Sequence, residues 1–340
     1  MKVTQHISLQ PYNTFGLNEY ADTLIVLEKP SDLPQLRELI SEHKELPLVL
    51  GGGSNMLLGG PIRRPVIKVE LKGMAIVEED AYTALVFCAA GVNWHDLVLF
   101  ALDHQLGGIE NLSLIPGTSG AAPMQNIGAY GVELKDTFSH LEAVHLVTGE
   151  HRIFNKADCE FGYRESVFKH REAGQWLITG IFLLLQKQAE LKTSYGTIRE
   201  ELEKRGITQP GIRDISEVVC AIRRSKLPDP AQIGNAGSFF KNPEIPIEQF
   251  AALQMQFPEL VAFPAGPGKM KLAAAWLIEQ CGWKGCDLGG YGVHDRQALV
   301  LVNRGGASGA KLAALAQDII QSVQDRFQIK LHAEVNLISC

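Results

Sequence analysis

The stretch that most limits what this chain can become is residues 115–131, IPGTSGAAPMQNIGAYG. It lies in a longer run, 111–132, with neither the 3.6-residue period of a helix nor the alternation of a strand. Glycines, prolines and small residues dominate it, and charges are few. So bare a backbone suits a large flat ligand, because no Cβ stands between the ligand and the N–H groups. The bland alternative is a glycine-rich surface loop. Surface loops are rarely so poor in charge, however, and an aperiodic segment this long inside a compact domain usually carries function. The whole chain shares the bias: 33 of its 340 residues are Gly, against a usual ~7%.

Local patterns around that segment predict short alternating elements. Residues 23–27 read as a strand. Ser31 reads as the cap of a helix running to Glu42, with Leu36, Leu39 and Ile40 inward. A strand at 48–50 runs straight into Gly51-Gly52-Gly53-Ser54-Asn55. Residues 85–89 form another strand, and Asn93 caps a helix that puts Trp94, Leu97, Val98, Ala101 and Leu102 on one face, ended by Gly107-Gly108. Strands follow at 141–147 and 176–185. Beyond them come a helix at 215–224, the segment 234–243, a connector holding Pro258, Pro264 and Pro267, and a helix at 271–281. A strand at 298–302, a long helix at 310–327 and a last strand at 334–338 close the chain. The class is α/β (α+β), in three regions.

Several function classes drop out. Formal net charge is −6 and no basic run of five or more residues exists, so the electrostatic footprint of a nucleic-acid binder is missing. The opening residues are too polar for a signal peptide, and the apolar run at 177–185 is far too short for a membrane span. The expectation is a cytosolic chain with neither nucleic-acid nor membrane partners. Cys88, Cys159, Cys220, Cys281, Cys286 and Cys340 contain no CxxC pair, which argues for reduced thiols rather than disulfides or zinc. The ten His residues form no metal-spaced set. A strand entering GGGSNM resembles a dinucleotide fingerprint, but Met56 stands where the third Gly belongs and no helical pattern follows. That run fits a pyrophosphate nest with Ser54 and Asn55 as extra donors, and it fits a plain tight turn equally well. Ser119 is no nucleophile elbow, since Ala121 replaces the required Gly.

The second unusual segment is residues 234–243, GNAGSFFKNP, which gathers Ser238, Lys241 and Asn242 about two aromatics. Taken alone, it reads as a strand edge with a turn. Together with residues 13–16 (NTFG), 51–55, 115–131, 161–164 (FGYR), 195–196, 226–230 (KLPDP) and 333–335 (AEV), it resembles the flavin-dependent UDP-N-acetylenolpyruvoylglucosamine reductases of peptidoglycan synthesis. The likeness covers nearly the whole chain, and order and spacing agree. Gly52 stands where related enzymes vary. The Tyr195 segment resembles the subgroup with an extra loop that closes over substrate.

The resemblance implies an FAD-binding fold of the vanillyl-alcohol-oxidase type with an additional α/β substrate-binding domain. Its divisions would be 1–71 (rejoined by a C-terminal strand in 332–340) and 72–214 for FAD, and 215–331 for substrate. FAD would be non-covalent, because no His accompanies Asn55 in the first loop. It would lie over Gly51, Gly52, Gly53, Ser54 and Asn55 and against Ile115, Pro116, Gly117, Gly120, Asn126 and Gly128. NADPH is the implied reductant and a nucleotide sugar the implied substrate. Arg164, Ser238 and Glu334 match the family's catalytic residues; Tyr195, Lys226, Asn242 and Gln297 match its substrate contacts. Arg223, three residues before Lys226 near a helix end, either joins Lys226 or belongs to a solvated helix face, and the latter is the expectation. Two other functions compete: an FAD-dependent alcohol or sugar oxidase, and a nucleotide-sugar sensor without turnover. The Ser238 and Glu334 segments weigh against the first, and the joint presence of all three catalytic types against the second.

Overall fold

A computed structural model describes residues 1–338, so Cys340 and the end of the 332–340 segment lie outside the described residues. The chain divides into two compact units. One comprises residues 1–7, 21–53 and 62–225; the other takes 8–20, 54–61 and the chain from Lys226 on. Segments 8–20 and 54–61 therefore fold with the C-terminal part, although they fall inside the 1–71 division.

In the first unit the apolar run becomes the Trp176–Gln186 strand, third in an antiparallel five-stranded sheet. In spatial order the strands are His151–Asn155, Phe138–His145, Trp176–Gln186, Thr83–Ala89 and Met74–Glu79. Register pairs Ile181 with Cys88, Leu183 with Val86 and Leu185 with Ala84, and all six are buried. One face is thus apolar throughout, as the period of two requires. The Trp94–Asp103 helix buries Trp94, Leu97, Val98, Ala101 and Leu102, and Asn93 caps it by accepting the His95 N–H at 2.8 Å. Each such fully buried large apolar side chain stabilises by about 1.5–3 kcal/mol. The helix ends at Asp103, and the left-handed turn falls on Gln105 (φ 58°) rather than on Gly107-Gly108.

A four-stranded sheet completes this unit, in the order Lys2–Ser8, Tyr20–Leu27, Val66–Val69, Leu48–Leu50. Tyr20–Leu27 and Leu48–Leu50 both run parallel to Val66–Val69. Helix Leu33–Ser41 buries Leu33, Leu36 and Ile40. Ser31 does not cap it. It lies inside the 3-10 turn Pro30–Asp32, and no side chain caps the helix. A single apolar cluster joins both sheets and both helices.

The second unit is built on the Gly309–Phe327 helix, which buries Leu312, Leu315, Ala316, Ile319, Val323 and Phe327 against Phe15, Leu17, Leu57, Phe239 and Phe240. Its small sheets are Gly234–Asn235, Leu301–Asn303, Tyr291–Val293 and Glu244–Pro246, Lys269–Leu272, Ala262–Pro264. The expected helix at 271–281 is shorter: Lys269–Leu272 is a strand and the helix is Ala274–Gln280. Asn336–Ile338 pairs in parallel with Met56–Leu58. Among the described residues, no helix is long and apolar enough to cross a membrane.

Candidate functional site

In the first unit two glycine-bearing loops lie against each other. Leu48–Leu50 delivers Gly51 and Gly52 to the backbone of Gly117 and Thr118. A Cβ on Gly52 would fall 2.7 Å from Gly117 Cα, and one on Gly51 only 2.5 Å from Thr118 Oγ1. The loop itself is pinned from behind: Ser119 Oγ donates to Ala89 O (2.6 Å) and Gly120 N–H to Ala90 O (3.0 Å). The result is a cradle of main-chain groups that any side chain would fill. Thr118 Oγ1 is buried there without a hydrogen-bond partner, an unmet polar group of the kind a ligand oxygen satisfies. Met56–Leu58, which follows the GGGSN run, is a strand and not a helix. This cradle therefore fits an FAD pyrophosphate and does not fit a nicotinamide Rossmann turn.

Segment 111–132 is less formless than its composition suggests. It contains the 3-10 stretch Ser119–Gln125 and the two-residue strands Gly128–Ala129 and Val132–Glu133. Asn126 is left-handed (φ 44°) and buried. Its amide donates to Gly162 O (3.0 Å) and Glu133 Oε2 (3.1 Å), and its oxygen accepts the Lys135 N–H (3.0 Å). That side chain is spent on clamping the loop. Ile115, at the other end, packs half-buried on the core cluster.

Arg164 is also left-handed (φ 56°), and its Nη2 donates to Gly128 O at 2.6 Å. A Cβ on Gly128 would come within 2.9 Å of Nη1, so glycine is what lets the guanidinium reach the loop backbone. Arg223 contradicts the solvated-face reading. Its Nε is shut off from solvent without a hydrogen-bond partner. Burial pushes its pKa down; Tyr130 and Cys220 oppose that, and Arg164 adds to it. Tyr130, which no sequence pattern singled out, stacks edge-on to Tyr195 at 5.4 Å. Tyr195 itself is 48% exposed, just before the Gly196–Lys204 helix.

The remaining expected residues belong to the second unit. Segment 238–241 pairs with 332–334: Glu334 N–H donates to Phe239 O (2.8 Å) and Lys241 N–H to His332 O (2.9 Å). Ser238 and Glu334, far apart in sequence, thereby lie on neighbouring extended segments joined by the isolated antiparallel bridge Phe240–Ala333. Asn55 joins them, its Nδ2 donating to Glu334 O at 3.2 Å. Thus the 51–55 run divides, with Gly51, Gly52 and Gly53 in the first unit and Ser54 and Asn55 in the second. Asn242 Oδ1 accepts the Ala274 N–H at 2.9 Å, at the start of the Ala274–Gln280 helix. Gln297 is half-buried, and Lys226 is exposed at the end of the Ile212–Lys226 helix.

Comparison with known proteins adds independent findings. Residues 229–338 match the family model for the UDP-N-acetylenolpyruvoylglucosamine reductase C-terminal domain, and residues 21–155 match an FAD binding domain. The protein of Pseudomonas aeruginosa named UDP-N-acetylenolpyruvoylglucosamine reductase is 48% identical over 337 residues, 99% of each chain. Its namesake from Chromobacterium violaceum is 50% identical over 329 residues, 96% of each. A crystal structure of the Thermus caldophilus UDP-N-acetylenolpyruvylglucosamine reductase superposes with a TM-score of 0.66 at 23% identity, covering 99% of both chains. That last likeness shows a common fold. It agrees with an FAD-binding fold carrying a further α/β domain.

Proposed function

The chain belongs to the UDP-N-acetylenolpyruvoylglucosamine reductase family, and from that premise we propose how its residues share the reaction. It is an FAD-dependent oxidoreductase that uses NADPH to reduce UDP-N-acetylglucosamine enolpyruvate to UDP-N-acetylmuramate in peptidoglycan precursor synthesis. The cradle of Gly51, Gly52, Gly117 and Thr118 would hold FAD, which when bound would supply the hydride transfer from NADPH to the terminal methylene carbon of the enolpyruvyl ether.

The observation that carries the assignment of roles is the tie between Arg164 and Gly128 O in the glycine loop. Adding hydride to the enol ether leaves negative charge on the neighbouring carbon and its carboxylate, and fixed donors are what stabilise such charge. Arg164 grips the carboxylate: a guanidinium offers a rigid fork and keeps its charge. Glu334 donates a hydrogen bond to the same developing charge, a role open to it only in the protonated form. Ser238 delivers the final proton. A hydroxyl is a weak acid, so this role rests on placement rather than on acidity. The Phe239–Leu299 and Glu334–Phe239 backbone bonds hold the segments that carry these two residues.

Lys226 and Tyr195 hold the diphosphate, and Asn242 and Gln297 contact the rest of the nucleotide sugar. Tyr195 closes over substrate as in the subgroup with the extra loop, a role that its exposure supports. The enzyme works in the cytoplasm on small-molecule partners alone. The test follows the flavin spectrum without oxygen. NADPH bleaches it and the enolpyruvyl nucleotide sugar restores it; restoration by oxygen alone marks an oxidase and overturns this reading.

A further inference from the structure

Beneath the glycine cradle lies a charged triad that the reaction itself does not use. Register places Lys68, on the Val66–Val69 strand, directly beside Leu50, the residue before Gly51. The Lys68 side chain is only 12% exposed, and its Nζ donates to Gly51 O at 2.8 Å. Nζ also pairs with Glu70 Oε1 at 2.7 Å, while Lys72 pairs with Glu70 Oε2 at 2.8 Å and donates to Gly91 O. Desolvation works against the Glu70 charge, but the two ammonium groups outweigh it and hold its carboxyl below the usual carboxylate range. Two lysines and one glutamate leave a formal surplus of one positive charge.

Peptide geometry turns that contact into a direction. A trans peptide is planar, with C=O and N–H on opposite sides. A Gly51 carbonyl fastened to Lys68 therefore points the Gly52 N–H the other way, out of the sheet and across the cradle. Among the described residues no acceptor meets that N–H. We infer that Lys68, braced by Glu70 and Lys72, is a positioning residue for FAD, aiming the Gly52 N–H and lending net positive charge to hold the pyrophosphate. The inference rests on the FAD-dependent reading above.

The experiment strips the full chain of flavin and titrates it with FAD and, separately, with riboflavin, which lacks the pyrophosphate. An oriented hydrogen bond to a charged group contributes about 1.5–3 kcal/mol, so Lys68→Met should weaken FAD binding by roughly 10–100-fold. Riboflavin binding and the melting temperature of the flavin-free protein should stay near wild type, and Lys68→Arg should restore most of the FAD affinity. Unchanged FAD affinity in Lys68→Met overturns the inference. So does equal loss of FAD and riboflavin with a lowered melting temperature, which marks a merely structural lysine. If Lys68→Met does not fold, Glu70→Gln decides, since it removes the one negative charge and keeps an acceptor. FAD should then bind roughly 3–10-fold tighter at low salt, and no tightening refutes the charge role. A wild-type chain that binds no FAD would instead remove the functional reading itself.

Discussion

Gly120→Ala puts the packing of the cofactor loop to a quantitative test. The new Cβ would fall 2.4 Å from Ala90 Cβ, 3.0 Å from Ala90 Cα and 3.1 Å from Ala90 O. Carbon atoms sit comfortably at about 3.5–4.0 Å, so the loop must retreat by roughly 1 Å or more. The Gly120–Ala90 hydrogen bond of 3.0 Å does not survive that shift, and the Ser119–Ala89 bond of 2.6 Å is weakened. Overpacking costs about 1–3 kcal/mol and each lost buried bond about 1 kcal/mol or more. The gain from a less flexible unfolded chain, about 0.4–1 kcal/mol, works the other way and is too small to win. The net loss is about 2–4 kcal/mol. At about 2–4 °C per kcal/mol for a unit of this size, melting falls by about 5–15 °C. Because Gly117 and Thr118 retreat with Gly120, FAD affinity falls at least roughly tenfold. Calorimetry of the flavin-free protein and a fluorescence titration with FAD measure both effects. Gly196→Ala is the control, since a Cβ there meets nothing within 4 Å. A Gly120→Ala protein that melts within a degree or two of wild type and binds FAD equally well would refute the close-packed cradle.

Two further outcomes follow from buried groups. His95 Nδ1 accepts the Leu114 N–H at 3.1 Å, so the folded protein holds this ring neutral. Burial chiefly, helped by Arg224 and Arg223 and opposed by Asp96, pushes its pKa below the ordinary 6.5. A base with a depressed folded pKa contributes its full stability above the unfolded value and loses it as pH falls from there towards the folded value. Melting temperature should thus drop from pH 7 to pH 5.5 more steeply in wild type than in His95→Gln, and parallel profiles would dismiss the role. Burial also pushes the Cys88 and Cys159 thiols up to about 12. Alkylation of the native protein at pH 8 should spare both, because the thiolate is the reactive form, while the only partly buried Cys286 is modified; labelled Cys88 in native protein would contradict the burial.

Local physics was readable in the sequence wherever a signal was complete within a few residues. Asn93 and the apolar spacing of the next ten residues sufficed for the Trp94–Asp103 helix, cap included. Ser31 misled because Pro30 starts a 3-10 turn, and the neighbouring Asp32 carboxylate is taken by the Met1 ammonium at 2.9 Å. Lys271 and Leu272 have helical composition, but their strand pairs with Glu244–Pro246 and Ala262–Pro264, partners that no local window contains. The same non-locality hid half of the site. Periodicity shows Arg223 on one helix, yet Tyr130 and Arg164, which share its surroundings, come from remote segments. Lys68 reads as an ordinary strand residue until Gly51 is folded against it. The resemblance named Asn126 and Asn242 as contacts, and only the folded chain reveals that the Asn126 side chain also clamps the loop and that Asn242 Oδ1 also receives the N–H at a helix start.

A stopped-flow comparison of wild type with Ser238→Ala through both halves of the flavin cycle, without oxygen, tests the proton-donor role of Ser238. NADPH should bleach the flavin equally fast in both proteins. Restoration by the enolpyruvyl nucleotide sugar should be slower in the variant by roughly 10²–10⁴-fold, the usual worth of a positioned acid. Equal slowing of both halves, or restoration at the wild-type rate, would contradict Ser238 as the proton donor.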